Sequence, residues 1–177
     1  MNVTTPVLSR HITKEHMQTT TTQPPHPVTA VLLGGGIAAT LDIVYACISN
    51  AQYGKTPLWV LQSVATGWLG KDAFASGVTG GTIGLVSHYS ILFVAAAVYW
   101  MASNRFPMLR KHAIACGALF GALVYLFMNF VVLPLSAFPY KLSHPPIRLM
   151  EGLLTHALFV GIPIALCIRR WATPTPQ

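Results

Sequence analysis

Five polar residues with acid–base or metal-binding chemistry lie inside long apolar stretches of this 177-residue chain. They are Asp42, His88, Asn129, Glu151 and His156. Carboxylates accept protons, and the imidazole of histidine, with an unperturbed pKa of about 6.5, suits a proton relay. Two imidazoles and a carboxylate could also bind a divalent transition metal. These five residues form the candidate polar pocket, provided that the fold brings them together.

Sequence motifs of common enzymes and cofactor sites are missing. The three cysteines form no CxxC pair, and His11 and His16 lack the HExxH order of a zinc protease. GVTGGTIG (77–84) lacks the GK[ST] of a phosphate loop and is predicted to be a flexible approach to a helix. Neither His88 nor His156 has a second ligand three or four residues away on its own helix. The sequence therefore predicts no metal, no cofactor and no catalytic residue, and it favours a protein that is not an enzyme.

The composition indicates a membrane protein. Hydrophobic residues make up 53% of the chain, charged residues only 8%, and the mean hydropathy is +0.56. Soluble domains carry about 25% charged residues, so this chain could not cover a surface that faces water. The formal net charge of +7 comes from basic residues scattered between apolar runs rather than from one basic face. The expected partner is therefore the lipid bilayer and not nucleic acid.

The apolar runs predict an all-α fold, an integral membrane four-helix bundle. A helix of about 20 apolar residues crosses roughly 30 Å of hydrocarbon, and runs of about this length lie at about 28–49, 84–103, 112–134 and 149–168. A shorter segment at about 57–70 predicts an amphipathic helix at the outer interface, whose apolar side carries Leu58, Leu61, Ala65, Trp68 and Leu69. Residues 1–27 are predicted to be a disordered tail, 28–171 the membrane domain, and 172–177 a short C-terminal tail.

Positive charges near the span ends predict the orientation of the bundle. With both chain ends on one side, that side carries seven Lys and Arg residues and the other side four. This bias favours cytoplasmic ends. The alternating direction of the helices then places all five candidate residues within about 12 Å of the outer boundary, at ~1.5 Å per residue. The sequence thus predicts one polar layer in the outer half of the bilayer.

The polar layer has two interpretations. Ionisable groups at the bilayer centre cost about 2.5–3.5 kcal/mol each, so they normally face other helices and find partners there. In the functional interpretation, the two carboxylates accept protons and the two histidines relay them or bind a metal. In the structural interpretation, which the sequence alone favours, the polar groups hydrogen-bond one another, Asn129 joins helices, and Glu151 pairs with Arg148.

Small residues predict where the helices approach closely. The required spacing occurs at Gly34, Gly35, Ala38 and Ala39 in the first span, and at Gly117 and Gly121 in the third. Packing within the chain is the expected use of these residues, and a homo-oligomer through the same faces is the alternative. Pro134 and Pro163 are expected to kink the third and fourth spans, because proline removes a backbone donor.

Five short motifs follow one another along the chain. They are TLDI (40–43), LQSVATGWLG (61–70), GLVSH (84–88), MNFVVLPLS (128–136) and GLLTHALFVGIPIAL (152–166). In this order they resemble a family of small four-span proteins of the bacterial inner membrane, the YagU-like group. The resemblance implies a helical bundle in that membrane, and it carries over no substrate and no catalytic residue.

The resulting hypothesis is a multi-pass inner-membrane protein with a structural or accessory role in the cell envelope. Two alternatives use the polar layer: a small proton-coupled transporter or permease, and a membrane metal or redox protein. Four spans are few for a transporter monomer, so a permease of this size would act as a homo-oligomer. The sequence does not identify a small-molecule ligand.

Overall fold

The structure, a computed structural model, describes residues 26–140 and 145–172. Most of both predicted tails, with His11 and His16, lies outside the described residues. Within them the chain is all-α, as predicted, and four helices are long and apolar enough to cross a membrane. These spans, first to fourth, are Pro27–Ala51, Gly77–Arg105, Ala113–Leu135 and Pro146–Trp171. The chain is therefore a multi-pass membrane protein.

Two shorter helices connect the spans. The lateral helix, Pro57–Leu69, precedes the second span and continues into the 3-10 turn Gly70–Phe74. Its N-terminus is capped by the hydroxyl of Thr56, which accepts a hydrogen bond from the Trp59 N–H at 3.2 Å. A one-turn helix, Met108–Lys111, links the second and third spans.

The second span begins at Gly77, well before residue 84, where its apolar run starts. Its first turns carry Gly80, Gly81 and Gly84, which lie against the lateral helix or the turn that follows it. A Cβ on Gly84 would lie 1.8 Å from the carbonyl oxygen of Leu61, so only glycine allows this approach. The prediction of a flexible approach is wrong here, because these glycines form a helix–helix contact.

The lateral helix packs against the second span with a partly polar face. Gln62 and Thr66 are among its buried residues, whereas Trp68 is 72% exposed. Gln62 Nε2 donates to the carbonyl oxygen of Gly77 at 2.9 Å, and Thr66 Oγ1 donates to that of Ser63 at 2.6 Å. Because the backbone satisfies these polar groups, they can face the bundle. Of the predicted apolar side, Trp68 and Leu69 are exposed, whereas Ala65 is buried and Leu58 and Leu61 lie against Gly81 of the second span.

The helices pack in the order lateral helix, second span, first span, fourth span, third span. Over the described residues, the second and third spans do not pack against each other along their length. A groove therefore separates them. The lateral helix and residues 136–140 cross one end of this groove, where the Ala137 N–H donates to the carbonyl oxygen of Gly67 at 3.0 Å.

Both ends of the described chain lie at the same end of the bundle. The His26 N–H donates to the carbonyl oxygen of Trp171 at 2.8 Å. We call this the terminal end, and we call the opposite end, which holds the lateral helix, the distal end. Four spans bring the chain back to the side on which it started. The predicted polar layer requires this arrangement, because it assumes that both chain ends lie on one side.

The predicted small residues lie at contacts within the chain. All six are buried. A Cβ on Gly35 would lie 3.0 Å from the Cα of Phe93 in the second span, and one on Gly121 would lie 2.1 Å from the carbonyl oxygen of His156 in the fourth. Glycine thus lets the helix backbones approach more closely than any other residue would.

The third and fourth spans each widen into a π-helical segment just before a proline. These segments are Met128–Val132, before Pro134, and His156–Gly161, before Pro163. The proline ring collides with the carbonyl four residues earlier in a regular α-helix, and a wider turn relieves the collision. The irregularity expected at Pro134 and Pro163 therefore takes the form of π-helical segments, and the one in the fourth span begins at His156.

Candidate functional site

Asp42, His88 and His156 meet between the first, second and fourth spans. His88 Nε2 lies 4.0 Å from Asp42 Oδ2, and His156 Nδ1 lies 3.8 Å from Asp42 Oδ1. The side chains of Asp42, His88 and His156 are 14%, 9% and 23% exposed. The fold thus brings three of the five candidate residues together, and we call them the Asp–His–His centre.

A backbone carbonyl holds each histidine. His88 Nε2 lies 2.9 Å from the carbonyl oxygen of Ala39, and His156 Nδ1 lies 3.1 Å from that of Gly152. Because a carbonyl oxygen only accepts, these ring nitrogens carry protons. The other nitrogens, Nδ1 of His88 and Nε2 of His156, have no hydrogen-bond partner in the part of the chain that the structure describes. Each can therefore accept a further proton.

The carboxylate of Asp42 accepts no hydrogen bond from any described residue. The nearest donors are the two imidazoles, at 4.0 and 3.8 Å, beyond the range of about 2.7–3.2 Å for an N–H···O hydrogen bond. An ionised carboxylate at membrane depth is costly without such bonds. A proton, water or a cationic ligand would lower that cost.

The Asp–His–His centre lies at the floor of a large cavity in the groove between the second and third spans. The cavity has a volume of about 1440 Å³. The lateral helix, the first three spans and residues 136–140 form its walls, and most of the lining is apolar. Lys55 and Asn50 lie toward the distal end. Aromatic side chains contribute much of the wall: Trp59, Trp68, Phe74, Phe138 and Tyr140.

Glu151 belongs to a separate network that joins the first and fourth spans. The Tyr45 hydroxyl donates to Glu151 Oε1 at 2.8 Å, and Arg148 Nη1 donates to Oε2 at 2.9 Å. Arg148 also donates to the hydroxyl of Tyr53. Both oxygens of this carboxylate are therefore satisfied, and Glu151 does not line the cavity. The predicted pair of Glu151 with Arg148 is present.

Asn129 does not reach the Asp–His–His centre. Its Nδ2 donates to the carbonyl oxygen of Tyr125, one turn earlier on the same span, at 2.9 Å. Its neighbours Met128 and Val132 line the cavity, but Asn129 does not. The side chain thus satisfies the backbone of its own helix at the π segment.

Two residues that contact the candidate residues or line the cavity, Tyr45 and Lys55, were not predicted from the sequence. Tyr45, which donates a hydrogen bond to Glu151, lies three residues after Asp42. Residues three apart on a helix are neighbours on its surface, so the position of Asp42 could have drawn attention to Tyr45. Lys55, whose Nζ lies 4.6 Å from the centre of the Trp59 ring, lines the cavity from a loop. No periodic pattern marks a loop residue, so no sequence signal pointed to it.

The described residues contain no group of three or more His, Cys, Asp and Glu side chains that could hold a metal ion. Cys47, Cys116 and Cys167 are free thiols. No protein-family model, curated protein or solved structure matches the chain. The Asp–His–His centre offers one carboxylate and two imidazoles, which can bind protons or a ligand that complements a carboxylate.

Proposed function

We propose that the chain is a proton-linked permease whose Asp–His–His centre binds protons and whose cavity binds a small amphipathic molecule. One observation carries the proposal: the Asp42 carboxylate lies at the floor of a mostly apolar cavity and accepts no hydrogen bond from the described residues. A carboxylate that only fixes helix packing bonds directly to its neighbours, as Glu151 does. The fold therefore leaves Asp42 open to a proton, water or a ligand, which supports the permease over a purely structural role.

The geometry gives the centre room for more than one proton. With both imidazoles neutral and Asp42 ionised, the centre carries one negative charge. A proton on Nδ1 of His88 or on Nε2 of His156 neutralises it, and a second proton makes it positive. Carboxylate and imidazole side chains both bind and release protons, so proton exchange is the chemistry that this centre supports.

The cavity is closed toward the terminal end of the bundle. Below the Asp–His–His centre lies a buried core that includes Ala96, Tyr99, Ile164 and Ile168. Transport therefore requires a second conformation that opens this core. The third span packs mainly against a single neighbour, the fourth span, and most of its surface faces away from the bundle. A homo-oligomer in which third spans meet would supply the helices that one chain lacks.

The proposal places the protein in the bacterial inner membrane with cytoplasmic ends, in keeping with its resemblance to the YagU-like group. Its support is the bias of positive charge. In the described part of the chain, the terminal end carries Arg105, Arg110, Lys111, Arg169 and Arg170, and the distal end carries Lys55, Lys71 and Arg148. A periplasm-dependent reporter enzyme fused after Gln177 should be inactive, and an active fusion would contradict this orientation.

The permease proposal is tested by titrating the centre in the full-length protein in lipid bilayers. We expect the carboxyl carbon signal of Asp42 and the ring nitrogen signals of His88 and His156 to change together as the pH is lowered, because groups this close titrate as one system. Asp42→Asn should displace both histidine titrations. The Asp42→Asn protein should accumulate as wild type does, and its melting temperature should stay within about 3 °C of the wild-type value. The carboxylate makes no hydrogen bond that this change removes.

Glu151→Gln is the matched control, because Glu151 is a carboxylate of the same bundle that lies outside the cavity. It should leave the titration of the centre unchanged and lower the melting temperature, since it weakens the pair with Arg148. If the signals of the three groups do not change together with pH, proton linkage is wrong. If Asp42→Asn prevents accumulation, the role of Asp42 is structural.

A further inference from the structure

The lining of the cavity indicates which molecules it can hold. Building on the permease function proposed above, we propose that it binds a lipophilic organic cation, such as a bulky ammonium or phosphonium ion, which competes with protons for Asp42. The cavity is large enough, because ligand pockets of about 300–1,000 Å³ hold drug-sized molecules and this one measures about 1440 Å³.

The charge at the floor of the cavity selects for a cation. The described residues include three carboxylates, and only that of Asp42 lines the cavity. Glu151 is held by Tyr45 and Arg148, and Asp72 is exposed on the 3-10 turn. A ligand with positive charge would therefore meet one carboxylate that is not already paired with a cation in the described part of the chain.

The walls complement the rest of such a ligand. The aromatic rings that line the cavity offer both apolar surface and the negative faces that attract organic cations. Trp59 and Phe74 stack with their centroids 5.4 Å apart, and Phe138 and Tyr140 meet edge to face at 5.6 Å. Trp59 already accepts a cation of the protein itself, the ammonium group of Lys55 at 4.6 Å.

The groove between the second and third spans is the route by which a lipophilic ligand would enter. Ile91 from the second span and Val124 and Met128 from the third line the cavity on the two sides of the groove. The ammonium group of Lys55 repels cations at the distal end. Entry from the bilayer avoids that charge and passes mostly apolar side chains.

Protons and the organic cation compete, because each neutralises the centre. The titratable groups that face Asp42 are His88 from the second span and His156 from the fourth, and Lys55 is the charged residue that lines the cavity from the loop. The third span presents only apolar residues to the cavity. Acidification therefore replaces the negative charge at the floor with neutral or positive groups and weakens cation binding.

The test is equilibrium binding of tetraphenylphosphonium to the purified full-length protein at pH 8 and pH 5. We expect saturable binding at pH 8, weaker by about tenfold or more at pH 5 and in Asp42→Asn at pH 8, because a buried charge loses its partner in each case. Glu151→Gln should bind as wild type does at pH 8. Tetraphenylborate, which has the same shape and the opposite charge, should show no saturable binding when it is measured by itself.

Binding of tetraphenylphosphonium that is unchanged in Asp42→Asn, or equally strong binding of tetraphenylborate, would overturn the inference about ligand class. Absence of saturable binding would overturn it as well. None of these results affects the titration of Asp42, His88 and His156, which tests the permease proposal by itself. A centre that does not titrate would reject that proposal, even if the cation were bound.

Discussion

Two carboxylates of this membrane bundle, Asp42 and Glu151, differ in their partners rather than in their chemistry. Glu151 is bonded through both oxygens to Tyr45 and Arg148. Among the described residues, the two imidazoles at 3.8 and 4.0 Å are the only groups that could form an ion pair with Asp42. Because an unsatisfied charge in a membrane is costly, the protein tolerates Asp42 at the expense of stability. This cost is expected at a functional site and not at a packing contact.

The first prediction at the residue scale concerns the Tyr45 hydroxyl. Tyr45→Phe removes the hydrogen bond to Glu151 Oε1 without changing the shape of the ring. A hydrogen bond of this kind contributes about 1 kcal/mol, so we expect the melting temperature to fall by about 2–4 °C. Thermal unfolding of the purified protein measures the change.

Tyr140→Phe is the control for this prediction. The Tyr140 hydroxyl has no hydrogen bond within the described residues, so the same chemical change should have little effect on the melting temperature. If wild type, Tyr45→Phe and Tyr140→Phe all melt at the same temperature, the hydrogen bond between Tyr45 and Glu151 contributes nothing measurable to stability.

The depth of the polar residues in the bilayer could be predicted from the sequence, but the direction in which each side chain points could not. Depth follows from the rise of about 1.5 Å per residue, which explains why Asp42, His88 and His156 were predicted together. Glu151 lies five residues before His156, a rotation of about 140° on a helix, so the two point to different sides. Asn129 turns back to its own backbone, a local choice that spacing does not reveal.

At the scale of helices, glycine determines which pairs pack most closely. Gly117 and Gly121 of the third span lie against Gly161 and the backbone of His156 in the fourth. Gly81 and Gly84 of the second span lie against the lateral helix. The first of these contacts also positions the Asp–His–His centre, because it holds the π segment that begins at His156.

The prediction at this scale is that Gly121→Val separates the third and fourth spans. A Cβ on Gly121 would lie 2.1 Å from the carbonyl oxygen of His156, so backbone must move. Overpacking of this kind costs about 1–3 kcal/mol or more. We expect lower accumulation and a lower melting temperature, together with a displaced His156 signal in the titration experiment.

Gly36→Ala is the matched control, because a Cβ at Gly36 would have its nearest neighbour at 3.8 Å, an ordinary contact distance. It should accumulate and melt as wild type does. A Gly121→Val protein that behaves in the same way would contradict the observed approach of the third and fourth spans.

Helix positions were predictable where apolar runs end at charged or turn residues. The predicted first span, about 28–49, agrees closely with Pro27–Ala51, and the third, about 112–134, with Ala113–Leu135. The start of the second span at Gly77 was missed, because glycines lower helix propensity and read as a flexible segment. Their role becomes apparent only when the lateral helix packs against them.

At the scale of the whole molecule, the bundle is asymmetric. The distal half contains the cavity, and the terminal half contains the buried core around Tyr99 and Ile168. The order of the helices creates this asymmetry, since the second and third spans are consecutive in sequence but lie at opposite sides of the groove. Apolar runs indicate roughly where each span lies but not which spans pack side by side, so the cavity could not be predicted.

The most direct test of the account asks whether Asp42 is a proton-binding carboxylate that can be reached from the membrane. A hydrophobic carbodiimide modifies protonated carboxyl groups within membranes, and mass spectrometry of the treated protein identifies the residue. We predict modification of Asp42, its loss in Asp42→Asn, and protection by tetraphenylphosphonium, with Glu151 unmodified in its pair with Arg148. Modification of Glu151 instead, or an Asp42 that does not react in the folded protein, would contradict the account.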